Sequence, residues 1–508
     1  MNKSTSIITN QVEQLKRWLY KTFVIQKLNN FTGYTILISS SLFLSVVVSY
    51  LGVKVGTALF ALIVGVPILI TSFLNTWLGF SFLIFTSSFV FIISRIVGVD
   101  LPFGIVAEGL TYTTLLGMFI DRSKRFSKTD LFGNALNITL SVWIIYTLIQ
   151  VFNPNATSIE AWIRSLRFTL SGVAIYIIAY RVFSKRWYIM FFTKMWIFIA
   201  LLAALYGIYQ EFAGLPSFDR RWVTSSEVRI GLNFIAGKWR KWSFMADSSV
   251  FGVFMAASGV FCIVLSQGES FSFKQKLTLL SMGFLMFIAM AFSGTRTAYV
   301  TVPVGLSLYA MMTLNSRSTR LLMIGFAFTL LFILFAPIYN PTFHRLRTAF
   351  SPTEDASYQV REENRSFIQP YIHDNPLGGG PNTTGAMGLE YSPNHELAGF
   401  PPDSFFLFIT LEYGWIGLII NLIIPFAVIV AGVNNYFKVK DPLIKILYAA
   451  YLSFIFGLTV ACYAKNALFS FPVGYIRIAT YVLMFQMIKL QESKSIHRVG
   501  SEDRKMVS

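Results

Sequence analysis

Charge is scarce in this chain. Only 13% of its 508 residues are Asp, Glu, Lys or Arg, against about 25% in a soluble globular domain. Acidic residues are scarcer still, 24 against 42 basic ones, which leaves a formal net charge of +18. The two cysteines, Cys262 and Cys462, both lie in apolar runs, so neither a disulfide framework nor a thiolate metal site can be built from them, and they say nothing about redox compartment. There are four histidines, and the connections between apolar runs hold no His/Cys ligand cluster and no Asp-Xaa-Asp pair; no metal and no cofactor is expected. A fixed-period repeat is also missing, which weighs against transporters built from duplicated halves. Soluble enzymes, disordered chains and secreted disulfide scaffolds are excluded on these grounds.

Long apolar runs are what the chain does have. Residues of the set AVILMFWYC make up 55% of it, enough for roughly fourteen bilayer-crossing helices. Fourteen runs can be marked, near 34–53, 56–74, 77–98, 101–120, 131–152, 168–183, 188–210, 248–266, 277–294, 297–314, 321–338, 403–433, 444–464 and 470–488. The expected fold is an all-α polytopic membrane protein of about 14 transmembrane helices, 12–14 being compatible with the pattern. Its parts are an amphipathic N-terminal segment 1–33, eleven spans over 34–338 with an outer loop 211–247, a large outer loop 339–402, three spans over 403–488 and a tail 489–508. With the N terminus inside, the inner segments carry 23 Lys and Arg, the short outer turns six (Lys54, Arg95, Arg164, Arg167, Arg296 and Lys465). Both termini are therefore expected to be cytoplasmic. Most of the positive charge is topological and calls for no nucleic-acid partner. The first run starts too late for a cleaved signal peptide, so the first helix is expected to act as its own signal. Two short stretches, 12–26 and 158–167, are amphipathic and expected to lie on the membrane surface.

The chemistry-bearing residues concentrate in the two long outer loops. The first holds Arg220, Arg221, Arg229, Lys238, Arg240 and Lys241; the second holds Arg345, Arg347, Arg361 and Arg365 with His344, His373 and His395. Between two apolar runs, Phe292-Ser-Gly-Thr-Arg-Thr-Ala298 leaves almost no loop and sets Arg296 at the outer membrane edge. That arginine either binds a phosphate or diphosphate at that depth or snorkels at a helix end. Ser357–His373 reads as a helix with Arg361 and Arg365 on one face and a kink or stop at Pro370. The turn that follows, with Gly378, Gly379 and Gly380, is either a plain loop or a cradle whose amides approach an anion. Asp403 stands where the chain returns to the membrane, as a helix N-cap, a general base, or both.

These stretches resemble the O-antigen polymerase and O-antigen ligase superfamily of bacterial inner membranes. Ser293-Gly-Thr-Arg-Thr-Ala298 is similar to its Ser-Gly-Ser-Arg-Thr-Ala turn. Arg365 followed by His373-Asp-Asn-Pro-Leu-Gly-Gly-Gly380 resembles its Arg, spacer, His-Pro-Leu-Gly-Xaa-Gly element. Asp403-Ser-Phe-Phe-Leu-Phe-Ile-Thr-Leu-Glu-Tyr-Gly414 resembles the His-Asn, spacer, Glu-Xaa-Gly element that begins the next span, and Arg240–Gly252 is similar to an Arg-containing stretch before an earlier span. Asp403-Ser404 stands where ligases of the superfamily have His-Asn, which favours the polymerase branch, with O-antigen ligase as the alternative. The resemblance implies a glycosyltransferase that moves an undecaprenyl-diphosphate-linked oligosaccharide to the hydroxyl of an acceptor glycan or glycolipid at the periplasmic face of the inner membrane, within membrane lipid and alongside a chain-length regulator. It implies a metal-independent diphosphate clamp of Arg296, Arg365 and Arg240, with Arg361 and Arg229 nearby, and Asp403 as base, His395 or His373 being its substitutes.

A lipid-linked oligosaccharide flippase is the rival of another class. It would need charges deep within the spans, where only Arg181, Lys194 and Arg477 are candidates.

Overall fold

In the computed structural model the described residues are 31–98, 103–120, 133–235, 237–335, 356–466 and 471–506, together with Gln14, Trp18, Lys21 and Arg347. The amphipathic stretch 12–26 otherwise lies outside them, as do His344, Arg345 and most of 336–355. The chain divides into two compact units, residues 1–86 with 93–127, and residues 87–92 with 128–508.

The first unit contains α1 (Phe31–Leu74), both ends of α2 (Thr76–Val97) and α3 (Phe103–Ile120). The two runs expected at 34–53 and 56–74 form the single helix α1, because Gly52 to Gly56 bring neither Pro nor a polar turn that would end it. Gly117 lets α3 touch the backbone of Phe73, whose oxygen would lie 1.9 Å from an added Cβ. Close approach at small residues is how helices pack where apolar burial supplies no preference between helix and lipid.

The second unit contains α4 (Ala135–Ile149), a 3₁₀ turn Gln150–Phe152, α5 (Ile159–Val182), α6 (Arg186–Phe212), α7 (Ser217–Thr224), α8 (Glu227–Asn233), the two-residue strands β1 (Phe234–Ile235) and β2 (Lys238–Trp239), α9 (Ser248–Leu265), α10 (Phe273–Ser293), α11 (Arg296–Thr313), α12 (Arg317–Phe335), α13 (Ala356–Asp374), α14 (Gly385–Tyr391), α15 (Phe405–Lys438), α16 (Pro442–Ala461) and α17 (Val473–Met506). β1 and β2 form an antiparallel hairpin, with Phe234 opposite Trp239. Among the described residues nine helices are long and apolar enough to cross a membrane: α2, α4 with its 3₁₀ turn, α5, α6, α9, α10, α15, α16 and α17. The protein is an all-α polytopic membrane protein.

α9 is the centre of this unit. It is apolar all round and every residue but Ser249 is buried, as expected of a helix surrounded by helices. Asp247 caps it, its Oδ1 accepting from the amides of Ser249 at 2.7 Å and Val250 at 2.9 Å. α11 and α16 run antiparallel with small residues at their contact: Gly305 lies against Ser453, and Gly457 against Thr301. Five residues further along both helices, Arg296 at the start of α11 is level with Cys462 just past the end of α16. The stretch 158–167, expected to lie apart on the surface, is instead the beginning of α5. Ser158 caps that helix through the amide of Ala161 at 3.2 Å, and Trp162 donates to the carbonyl of Thr147 at 2.8 Å, so nothing breaks it before the apolar run.

Candidate functional site

The Gly-rich turn is held by two other elements. α15 is interrupted at Gly414 (φ 65°, ψ −167°), which frees carbonyls and an amide that a continuous helix would pair internally. The turn fills the break: Gly379 N–H donates to the Leu411 carbonyl at 2.8 Å, Gly380 N–H to that of Glu412 at 3.0 Å, and Trp415 N–H to that of Pro376 at 3.0 Å. From the other side, Asn153 Nδ2 donates to the carbonyls of Leu377 and Gly378 at 3.2 and 3.1 Å, and Asn155 Nδ2 to that of Gly378 at 3.2 Å. Gly378 N–H donates to Asn375. The three glycine amides are thus engaged by protein carbonyls, and of the two sequence readings the geometry is that of a structural loop.

Glu412 completes this clasp. Its buried carboxylate accepts from Asn382 N–H at 2.8 Å, Thr384 N–H at 3.2 Å and Thr384 Oγ1 at 2.7 Å. An acidic residue in an apolar half-helix is stabilised only by such donors. An alanine Cβ at Gly414 would lie 2.0 Å from the Pro376 oxygen in a backbone conformation that L residues rarely adopt. Gly414→Ala is therefore expected to destabilise the protein by more than the roughly 1–3 kcal/mol of backbone strain alone. Glu412→Gln, which leaves one amide facing a donor, should lose about 1–3 kcal/mol. Thermal unfolding in detergent measures both, and a Gly414→Ala protein as stable as the parent would contradict the clasp.

His395 is buried, 9% exposed, and closes the same loop. Its Nδ1 accepts from Leu397 N–H at 3.0 Å, while its Nε2 edge and the hydroxyl of Tyr371 cover Gly379. Burial, and next the charge of Glu396, push the Tyr371 hydroxyl up to about 12, so it stays protonated. Burial lowers the pKa of His395 against the opposing influence of the Asn155 and Gly379 backbone and of Glu396. A histidine held neutral contributes stability that is complete above its unfolded value of about 6.5 and is lost as pH falls below it, because the unfolded chain then binds the extra proton. Unfolding temperature should drop between pH 7.5 and pH 5.5, and His395→Asn should flatten that slope. An unchanged slope in the variant would assign the pH dependence to another group.

The remaining predicted residues gather elsewhere, around the turn that ends α16. Ser404 and the amide of Phe405 both donate to the Cys462 carbonyl, at 3.3 and 3.0 Å, which fixes Asp403 beside that turn. The N-cap of α15 is Ser404, so Asp403 lies one residue outside the cap position. Arg365, on α13, donates to the Tyr463 hydroxyl at 3.0 Å and lies 4.7 Å over its ring. Arg296 is level with Cys462 through the α11 and α16 register. Behind it, Arg240 Nε donates to the Ser293 carbonyl at 2.8 Å and its Nη2 to Thr295 Oγ1 at 2.9 Å, with Nη1 on the Leu232 carbonyl at 3.1 Å. Arg240 therefore braces the turn that presents Arg296. Gly252 faces the same turn, its added Cβ falling 2.3 Å from Ser293 Oγ, which explains the Arg240 to Gly252 spacing.

Two predicted residues stand apart from this corner. Arg229 lies 5.2 Å over Trp222 and donates to Ser225 Oγ at 2.6 Å. His373, at the end of α13, is exposed with its ring 6.3 Å from that of Trp415. Arg361 is on α13, but its side chain lies outside the described residues. Sequence reasoning missed Asn153, Asn155 and Tyr463, which have no pattern of their own; the signal for Glu412 was present, an acidic residue two before a glycine in an apolar run. Among the described residues no group of three or more His, Cys, Asp and Glu could hold a metal ion.

Comparison with curated proteins and with solved structures returned no match. A family model described as O-antigen ligase matches residues 281–422, from within α10 through the Arg296 turn, α13, the glycine clasp and Asp403 to beyond the break in α15. That stretch, which carries Arg296, Arg365, the glycine turn and Asp403, is thus similar to the O-antigen ligase family.

Proposed function

We propose that the protein is a polymerase of lipid-linked glycan, transferring a chain from undecaprenyl diphosphate to the hydroxyl of an acceptor glycan. The observation that supports this reading is that Arg365 and the Asp403–Ser404 entry to α15, distant in sequence, both reach the Cys462–Tyr463 turn, with Arg296 level with it in the α11–α16 register. In the reaction, the acceptor oxygen attacks the anomeric carbon, the bond from that carbon to the diphosphate oxygen breaks, and Asp403 takes the hydroxyl proton. Negative charge grows on the diphosphate as it leaves, and Arg296 and Arg365 neutralise it. Such a leaving group needs no resident metal when guanidinium groups hold it. Arg240 acts as a positioning residue. The lipid tail would reach the corner laterally, from between helices, at the periplasmic face of the inner membrane with both termini cytoplasmic.

Purified protein in micelles, given the lipid-linked repeat unit, should extend it into longer chains. Transfer only to a lipid A-core acceptor would make it a ligase. Absence of any transfer, with lipid translocation in two-compartment vesicles, would make it a flippase.

A further inference from the structure

Arg477 is a charged residue within a membrane-spanning segment that the reading above does not use. Charges there are costly and are kept for a purpose. The helix register shows where it lies. Gly432 of α15 faces both Leu452 of α16 and Met484 of α17, and Tyr448 donates to the Met484 carbonyl at 3.2 Å, so Leu452 and Met484 are at one level. Two turns toward the corner on each antiparallel helix bring Thr459 level with Arg477. This places Arg477 about one turn beneath Cys462. Side chains of Arg477 and Thr459 converge on the buried Tyr481, with the guanidinium carbon 5.4 Å from the ring centre, and Arg477 is close enough to Cys462 to act on it electrostatically. Helical side chains lean toward the N terminus of their helix, which for α17 is the corner end. Arginine also extends its head toward the membrane boundary.

We propose that Arg477 is a further anion-binding residue of this site, meeting the donor's diphosphate from the membrane side of the Cys462 turn while Arg296 and Arg365 meet it from the outer side. The inference rests on the corner being a diphosphate site. It assigns the last span, beyond the matched stretch 281–422, a direct part in holding the substrate. An anion approached from below as well as above sits at a defined depth, which suits a group attached to a lipid tail.

The test is binding of undecaprenyl diphosphate to the full chain in micelles, with phosphatidylglycerol as a second probe. Losing one charged hydrogen-bonding partner should weaken diphosphate binding roughly 10-fold or more in Arg477→Gln, with Arg477→Lys intermediate and Lys194→Gln, a span charge on α6, unchanged. Equal binding by a folded Arg477→Gln protein overturns this inference and leaves the proposed function standing. If the Gln variant does not fold, unchanged binding by Arg477→Lys overturns it instead, since lysine lacks the forked contact. A loss confined to phosphatidylglycerol also overturns it. No binding of the diphosphate by the parent protein overturns the diphosphate site itself and this inference with it.

Discussion

Asp403→Asn is expected to lower glycan transfer by about 10²–10⁴-fold while leaving the protein folded, the range associated with losing a general base. Two sequence roles were open for this residue, and the cap position of α15 falls one residue later. The N-cap of α15 is Ser404, which makes no cap bond to its own helix and donates instead to Cys462. Asparagine keeps the size and hydrogen-bonding capacity of aspartate but cannot take a proton from an attacking hydroxyl. Asp403 is half-buried beside the turn that carries Tyr463 and thereby Arg365, where an acceptor hydroxyl and a diphosphate would meet. Initial rates of chain elongation with the purified variant, checked against its thermal unfolding, measure the effect. Near-normal elongation would remove Asp403 from the chemistry, and His373 would be the next substitution, because both nitrogen edges of His395 face the protein.

Arg296→Ala and Arg365→Ala should each reduce transfer by about 10²–10³-fold, the effect of removing one preorganised donor to a developing oxyanion, about 2.7–4 kcal/mol of barrier. Because charge on the diphosphate increases as the carrier leaves, the loss should appear in kcat more than in KM. Lysine at either position should restore only part of the rate, since it cannot make the forked contact. Arg365 also packs on Tyr463 and lies 3.8 Å from Glu362, one turn away, so Tyr463→Phe separates the two roles. That variant keeps the ring and loses the hydroxyl, and it should retain most activity if Arg365 serves the substrate. A rise in KM with kcat unchanged in either alanine variant would reassign that arginine to ground-state binding. Arg240→Ala should differ in kind: three of its nitrogens hold protein oxygens of the Arg296 turn and the Leu232 carbonyl, so it should lower stability together with rate.

Much of the architecture was legible in the chain. The runs expected near 188–210, 248–266 and 444–464 appear as α6, α9 and α16 with ends shifted by a few residues, and Ser357–His373 appears as α13 with Pro370 one turn from its end. Apolar length and helical period are local properties, so a sequence states them directly. Breaks and joins are different. α15 was expected as one run, yet it is interrupted at Gly414 because the glycine turn supplies the missing partners for Leu411, Glu412 and Trp415. α5 was expected to begin after a separate surface stretch, yet Ser158 caps the whole of it.

The sequence by itself determined an all-α membrane protein and the motifs that resemble the O-antigen ligase family, since hydropathy, composition and short motifs do not depend on what packs against what. The tertiary structure alone divided those residues between two tasks. Gly378, Gly379, Gly380, His395 and Glu412 clasp the long loop onto the broken helix, whereas Arg365 and the entry to α15 beside Asp403 reach the turn ending α16, with which Arg296 is level. The reason is that a backbone amide or a guanidinium can serve a substrate or its own protein but not both with the same hydrogen, and which carbonyls stand opposite it is settled only when residues far apart in the chain, such as Ser404 with Cys462 and Asn153 with Gly378, are brought together.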